Sequence, residues 1–97
     1  MPKVKPQLTE EEQVKAIASV YSNVSKLRMA NFMYTHSPAS PTQISEATKI
    51  IYSVTSRTLS EMLDAGVVEK TDYKEPGTRQ IFYRLTDLGK RIVTMFN

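Results

Sequence analysis

Ser53, Ser56, Arg57 and Ser60 share one side, or its flank, of a predicted helix whose other side is claimed by Leu59, Met62 and Leu63. Small hydroxyls let a helix come close to a polar surface. The Arg57 guanidinium can fork onto two acceptors at once, either guanine O6 and N7 or a phosphate. A solvated polar face is the plain alternative. Contact with the edges of base pairs is the preferred reading because of the elements on either side. Thr55 is placed with these residues, although Val54, Thr55 and Thr58 are also candidates to complete the core side. Tyr52, at the helix entrance, could stack on or hydrogen-bond to a nucleic-acid backbone, or it could plug the core.

Two further groups have suitable chemistry. Thr42 and Gln43 open a short helix, where free N–H groups attract phosphate, although capping that helix is their ordinary role. Lys74 and Arg79 flank Pro76 and Gly77 in a predicted hairpin turn, from which two cations would project. Asp72 and Glu75 dilute that charge, so phosphate contact is expected there more than base reading. Arg28 and Lys49 could meet the same backbone or be ordinary surface charges.

Other chemistries lack their parts. The chain has no cysteine and a single histidine, His36. This excludes disulfides, thiolate catalysis and cysteine-based zinc sites, and leaves His36 without partners for a metal site of three or four ligands. Glu10, Glu11 and Glu12 are adjacent, and a helix spreads them over different faces. No glycine-rich phosphate loop exists. No catalytic residue, cofactor or metal is therefore expected.

The 97 residues suit one domain: residues 1–8 a flexible arm, residues 9–97 the folded unit. With 40% hydrophobic and 24% charged residues, the composition is that of a soluble globular protein. No apolar run is long enough to span a membrane, the N-terminus lacks the apolar core of a signal peptide, and a cytoplasmic location is expected. The net charge of +3 is mildly basic. Lys3, Lys5 and Lys15 balance the three N-terminal glutamates, so the excess sits around Lys26, Arg28 and Lys49 and on the hairpin.

Thr9 and Glu12 form a capping box for a first helix over residues 10–21, with Val14, Ile17, Ala18, Tyr21 and Val24 at helical spacing. A second helix covers residues 25–35, with Leu27, Ala30, Phe32 and Met33 inward. Ser40, Pro41 and Gln43 start a third, ending near residue 48, with Ile44 and Ala47 inward. After a turn over residues 49–52, Ser53 is expected to cap a fourth helix over residues 53–65, which Gly66 stops. Val67, Val68 and Lys70 open a strand, residues 72–77 turn, and residues 79–85 alternate as a return strand. Thr86 and Asp87 cap a last helix carrying Leu88, Ile92, Val93 and Phe96.

The run Ser56, Arg57, Leu59, Met62, Ala65, Gly66, Val67, Val68 resembles the recognition helix and first wing strand of winged helix-turn-helix regulators. Tyr83, Arg84, Leu85, Thr86 and Gly89 resemble the end of the wing and the start of the closing helix, and Lys26, Leu27 and Arg28 resemble the helix opening of ArsR-type members. The resemblance spans residues 22–93 and extends to MarR-like and PadR-like proteins. It implies an α+β fold: a winged helix-turn-helix with a two-stranded β-hairpin wing and extra N- and C-terminal helices. The absence of cysteine departs from the metal-sensing ArsR members.

Val14, Ile17, Tyr21, Leu88, Ile92, Met95 and Phe96 offer more apolar surface than so small a unit needs. Core closure could absorb it. The alternative favoured here is a homodimer, which would set two reading helices about 34–36 Å apart, one turn of DNA. The expected function is a sequence-specific double-stranded DNA-binding transcriptional regulator, acting as a repressor and homodimer. Its recognition helix over residues 53–65 would enter the major groove, and its wing over residues 70–84 would lie on adjacent backbone or minor groove. A DNA-spreading architectural or plasmid-partition protein, or a winged-helix protein-interaction module, are the competing readings.

Overall fold

The computed structural model of the chain describes residues 8–95. Seven elements follow in order: α1 (Glu10–Tyr21), α2 (Val24–Thr35), α3 (Pro41–Thr48), α4 (Tyr52–Asp64), β1 (Val68–Lys70), β2 (Tyr83–Leu85) and α5 (Asp87–Thr94). The expected residues 1–7 of the arm lie outside the described residues.

Local capping sets most helix starts. Thr9 and Ser40 form reciprocal capping boxes with Glu12 and Gln43, and the Thr86 hydroxyl accepts from the Gly89 N–H at 3.1 Å. The backbone N–H of Thr9, and then its side chain, hold the Glu12 carboxyl below its usual range. The contribution of that cap is therefore lost as pH falls through the lowered value. Asn23, accepting from Lys26 N–H at 3.1 Å, starts α2 at Val24, one residue before the expected position. Gly66 ends α4 at φ 77°: Val67 N–H donates to Met62 O at 2.9 Å and Gly66 N–H to Leu63 O at 3.1 Å, a Schellman pair.

Ser53 does not cap α4. The N-cap is Ile51, and no side chain closes that first turn. The cause lies in the preceding residue. The Ile50 carbonyl accepts from Ser45 Oγ at 2.5 Å and from Thr55 Oγ1 at 3.3 Å, while Thr55 N–H reaches the Ile51 carbonyl at 3.0 Å. These bonds place the N-cap two residues earlier than the local pattern indicates.

The core centres on α2. Met29, Ala30 and Met33 are buried against Ile44 of α3, Leu59 and Met62 of α4, and Ile92 and Val93 of α5. The apolar stripe of α1 is rotated from the expected one. Ala16 and Val20 are buried, Ile17 and Tyr21 flank them, and Val14 is 58% exposed. Ala18, Val24 and Ala47 are likewise exposed.

β1 and β2 pair antiparallel, with Val68 opposite Leu85, Glu69 opposite Arg84 and Lys70 opposite Tyr83. The return strand is shorter than the expected 79–85. Thr71 binds the Phe82 carbonyl through both its N–H (2.8 Å) and its Oγ1 (2.9 Å), and the ladder stops there. Tyr83 also pairs on its far side with Ala39, exchanging N–H···O bonds of 2.8 and 2.9 Å. The segment entering α3 is thereby stitched to the wing, a pairing the sequence does not announce.

Candidate nucleic-acid interface

α3, the turn after it and α4 form a rigid helix-turn-helix. Lys49 takes the left-handed conformation at φ 62° as the C-cap of α3, its N–H donating to Ser45 O at 3.0 Å. Ser45 then also fixes the following carbonyl, so one serine holds both sides of the turn. Lys26 bonds Ser19 Oγ at 2.7 Å and pairs with Glu61 at 3.5 Å, tying α2 to α1 and α4. Lys26 is thus largely occupied inside the protein and is not part of a free basic patch.

α4 divides sharply. Thr55, Thr58, Leu59 and Met62 are buried. Ser53, Ser56, Arg57 and Ser60 are exposed on the opposite arc, where Ser60 Oγ donates to the Ser56 carbonyl at 3.3 Å. Arg57 has no ion pair or hydrogen bond among the described residues, so its guanidinium is available to an outside acceptor. Thr55 is a correction. It is fully buried, and its hydroxyl donates to the Ile50 and Ile51 carbonyls, so it shapes the helix start rather than facing outward. Tyr52 is 56% exposed, which removes its reading as a core plug. It lies near enough to Tyr83 that, after partial burial, its presence is the second cause raising the Tyr83 hydroxyl above its usual range.

At the start of α3, Thr42 is half-buried and Gln43 exposed. The Gln43 side-chain oxygen accepts from Ser40 N–H at 3.1 Å, which leaves its amide nitrogen pointing to no partner among the described residues. Lys74 and Arg79 are both exposed in the wing loop, around a turn in which Thr78 N–H donates to Glu75 O at 3.3 Å. Neither makes an ion pair among the described residues, whereas Arg84 is engaged by Glu69 at 3.3 Å. The Tyr73 ring packs edge-on against Phe82 at 4.8 Å and anchors the base of the loop. The structure places α4's outer arc, the α3 start and the wing cations as separate exposed groups on these three elements.

His36 stacks on Phe32 at 4.5 Å and bonds Thr35 Oγ1 at 2.8 Å, an exposed local arrangement. No group of three or more His, Cys, Asp or Glu suited to a metal occurs among the described residues. No helix among them is long and apolar enough to cross a membrane.

The residues expected at a subunit interface separate into two sets. Leu88 and Ile92 are corrections: both are buried in the chain's own core, where α5 packs on α2, so they are not free for a partner. The Tyr21 hydroxyl donates to the Ile92 carbonyl, joining α1 to α5. Val14 and Met95 remain outside, 58% and 53% exposed, and Ile17 is half-buried. Phe96 lies outside the described residues.

No protein-family model matches the chain, and no curated protein matches its sequence. Solved structures do match its shape. A crystal structure of a predicted DNA-binding transcriptional regulator from E. coli superposes with a TM-score of 0.72 at 20% identity, over 89% of this chain and 87% of that one. The homodimeric winged helix-turn-helix DNA-binding domain of a Mycobacterium bovis protein gives 0.68 at 20% identity, over 84% and 73%. The S. aureus MepR–DNA complex gives 0.69 at 14% identity, over 90% and 71%. Other matches are longer: the chain spans 57% of RV1404 from Mycobacterium tuberculosis. With five helices, an antiparallel hairpin and this helix-turn-helix among its described residues, the chain has a winged helix-turn-helix fold.

Proposed function

We propose that the protein is a sequence-specific double-stranded DNA-binding regulator that represses as a homodimer. α4 enters the major groove, and the wing over residues 70–84 follows the adjacent backbone or minor groove. The observation that carries this reading is the outer arc of α4. Ser53, Ser56, Arg57 and Ser60 are exposed together, free of apolar bulk, on a helix whose other side is locked in the core. Thr42, Gln43 and Tyr52 supply polar groups beside that arc, and Lys74 and Arg79 supply unpaired cations. The fold's occurrence in a DNA complex, that of MepR, supports it. Exposed Val14 and Met95, with half-buried Ile17, are the apolar residues offered to a second copy, with α1 and α5 in contact. Repression follows from occupancy: a dimer covering two successive turns of the major groove blocks a promoter.

The test is a fluorescence-anisotropy titration of the duplex upstream of the protein's own gene against a scrambled duplex, at several salt concentrations. Tight, salt-dependent binding that prefers the upstream duplex, at two chains per site, is the expected result. Binding without preference on any duplex favours a DNA-spreading role, and no binding at low salt favours a protein-docking role. In the same titration, replacing Lys74 and Arg79 with Ala should lower affinity on all sequences alike. The slope of log K against log salt should flatten by about 0.9 for each phosphate that is no longer neutralised. An unchanged slope removes the wing from the interface.

A further inference from the structure

The other four helices begin on a side chain that closes the first turn, from Thr9, Asn23, Ser40 and Thr86, whereas α4 begins on Ile51. Ile51 has φ −60° and ψ 147°, the extended conformation in which a serine or asparagine caps well. An isoleucine there forgoes the cap. It gains little burial in return: the residue is 68% exposed, while its neighbour Ile50 packs on the core. A branched apolar side chain held outward in this way gains energy only from an apolar group brought by something else.

Its position says which group. Ile51 stands at the entry end of the helix whose outer arc is Ser53, Ser56, Arg57 and Ser60, next to the exposed Tyr52. In the major groove the base edges present hydrogen-bonding groups, the small C5–H of cytosine and the 5-methyl of thymine, and of these the methyl is the one bulky apolar group. The geometry points to Ile51 as a specificity-determining residue that packs on the methyl group of a thymine at the margin of the site read by α4. This inference rests on the DNA reading above. It adds an apolar contact to a surface otherwise made of hydroxyls and one guanidinium.

Duplexes selected by the full chain from a pool with a randomised centre supply the probe. In the best-bound duplex, each thymine is replaced in turn by deoxyuracil, which removes only the methyl. One position per half-site should then bind the wild-type chain about fourfold more weakly, the worth of one buried methyl. Ile51→Ala should bind the thymine and deoxyuracil forms equally. Ile51→Ser checks the fold independently, since it places a hydroxyl at an N-cap: it should raise the thermal midpoint and still lose the methyl preference. Deoxyuracil replacements that act equally on wild type and Ile51→Ala overturn the inference and leave the DNA reading standing. Wild-type chain that enriches no duplex overturns both. An Ile51→Ala chain that changes oligomeric state and keeps the methyl preference assigns the side chain to a contact between copies, and also overturns it.

Discussion

Gly89→Ala is expected to destabilise the protein by about 2 kcal/mol or more, within or above the usual range for overpacking, and to lower its thermal midpoint by roughly 8–16 °C. A Cβ on residue 89 would stand 2.3 Å from the Val67 carbonyl oxygen, and 3.0 and 3.2 Å from Leu85 Cδ2 and Cβ. The nearest atom is backbone, and it is committed: the Val67 carbonyl accepts Thr86 N–H at 3.0 Å and Thr86 Oγ1 at 3.1 Å. The same Thr86 hydroxyl reaches the Gly66 carbonyl at 2.5 Å and accepts from Gly89 N–H to cap α5. Relief of the clash therefore means lifting the start of α5 off Val67, just before β1, and loosening both the cap and the end of α4. Alanine returns only about 1 kcal/mol of helix propensity over glycine, less than the steric loss. Thermal unfolding followed by circular dichroism measures the outcome, with Lys90→Ala, at an exposed neighbouring position, as control. An unchanged or raised midpoint for Gly89→Ala would show that α5 does not sit this close to the Val67 backbone.

Gly89 also illustrates what a sequence yields and what it withholds. The residue stands out in the run Tyr83, Arg84, Leu85, Thr86, Gly89, but the reason, a backbone oxygen 22 residues earlier, belongs to the folded chain. Features governed by neighbours within a few residues were legible: the capping boxes at Thr9 and Ser40, the Thr86 cap, the stop at Gly66 and the polar arc of α4. Features set by distant partners were not. The start of α4 depends on two hydroxyls converging on the Ile50 carbonyl, and this same event turns Thr55 inward. The Ala39–Tyr83 pairing joins segments with no shared pattern. Helical spacing placed Val14 in the stripe of α1, yet Ala16 and Val20 are the residues buried in the core, in a helix that packs against both α2 and α5. An apolar stripe also cannot tell its own core from a partner's, so Leu88 and Ile92 read as interface although the folded chain buries both.

Arg57→Ala should reduce discrimination between the selected duplex and a scrambled one by about 1–3 kcal/mol, or roughly 5- to 150-fold, if the guanidinium forks onto a guanine. Two observations make it the residue of choice on α4. It is the only cation on α4, whose other charges, Glu61 and Asp64, are acidic, and Glu61 already pairs with Lys26. It also has no partner among the described residues, so truncation removes no internal bond and leaves no buried group unsatisfied. Loss of affinity can then be assigned to the missing DNA contact rather than to a weakened fold, which an unchanged thermal midpoint verifies. Arg57→Lys separates geometry from charge. A lysine keeps the charge but cannot present two parallel donors, so it should recover salt-dependent affinity and leave the lost discrimination unrestored. Equal loss on selected and scrambled duplexes in Arg57→Ala, with recovery in Arg57→Lys, would reassign the guanidinium to a phosphate. Base reading would then fall to the serines of the arc and to Ile51, which is a different code: hydroxyls accept or donate to several bases, and a methyl contact marks thymine alone.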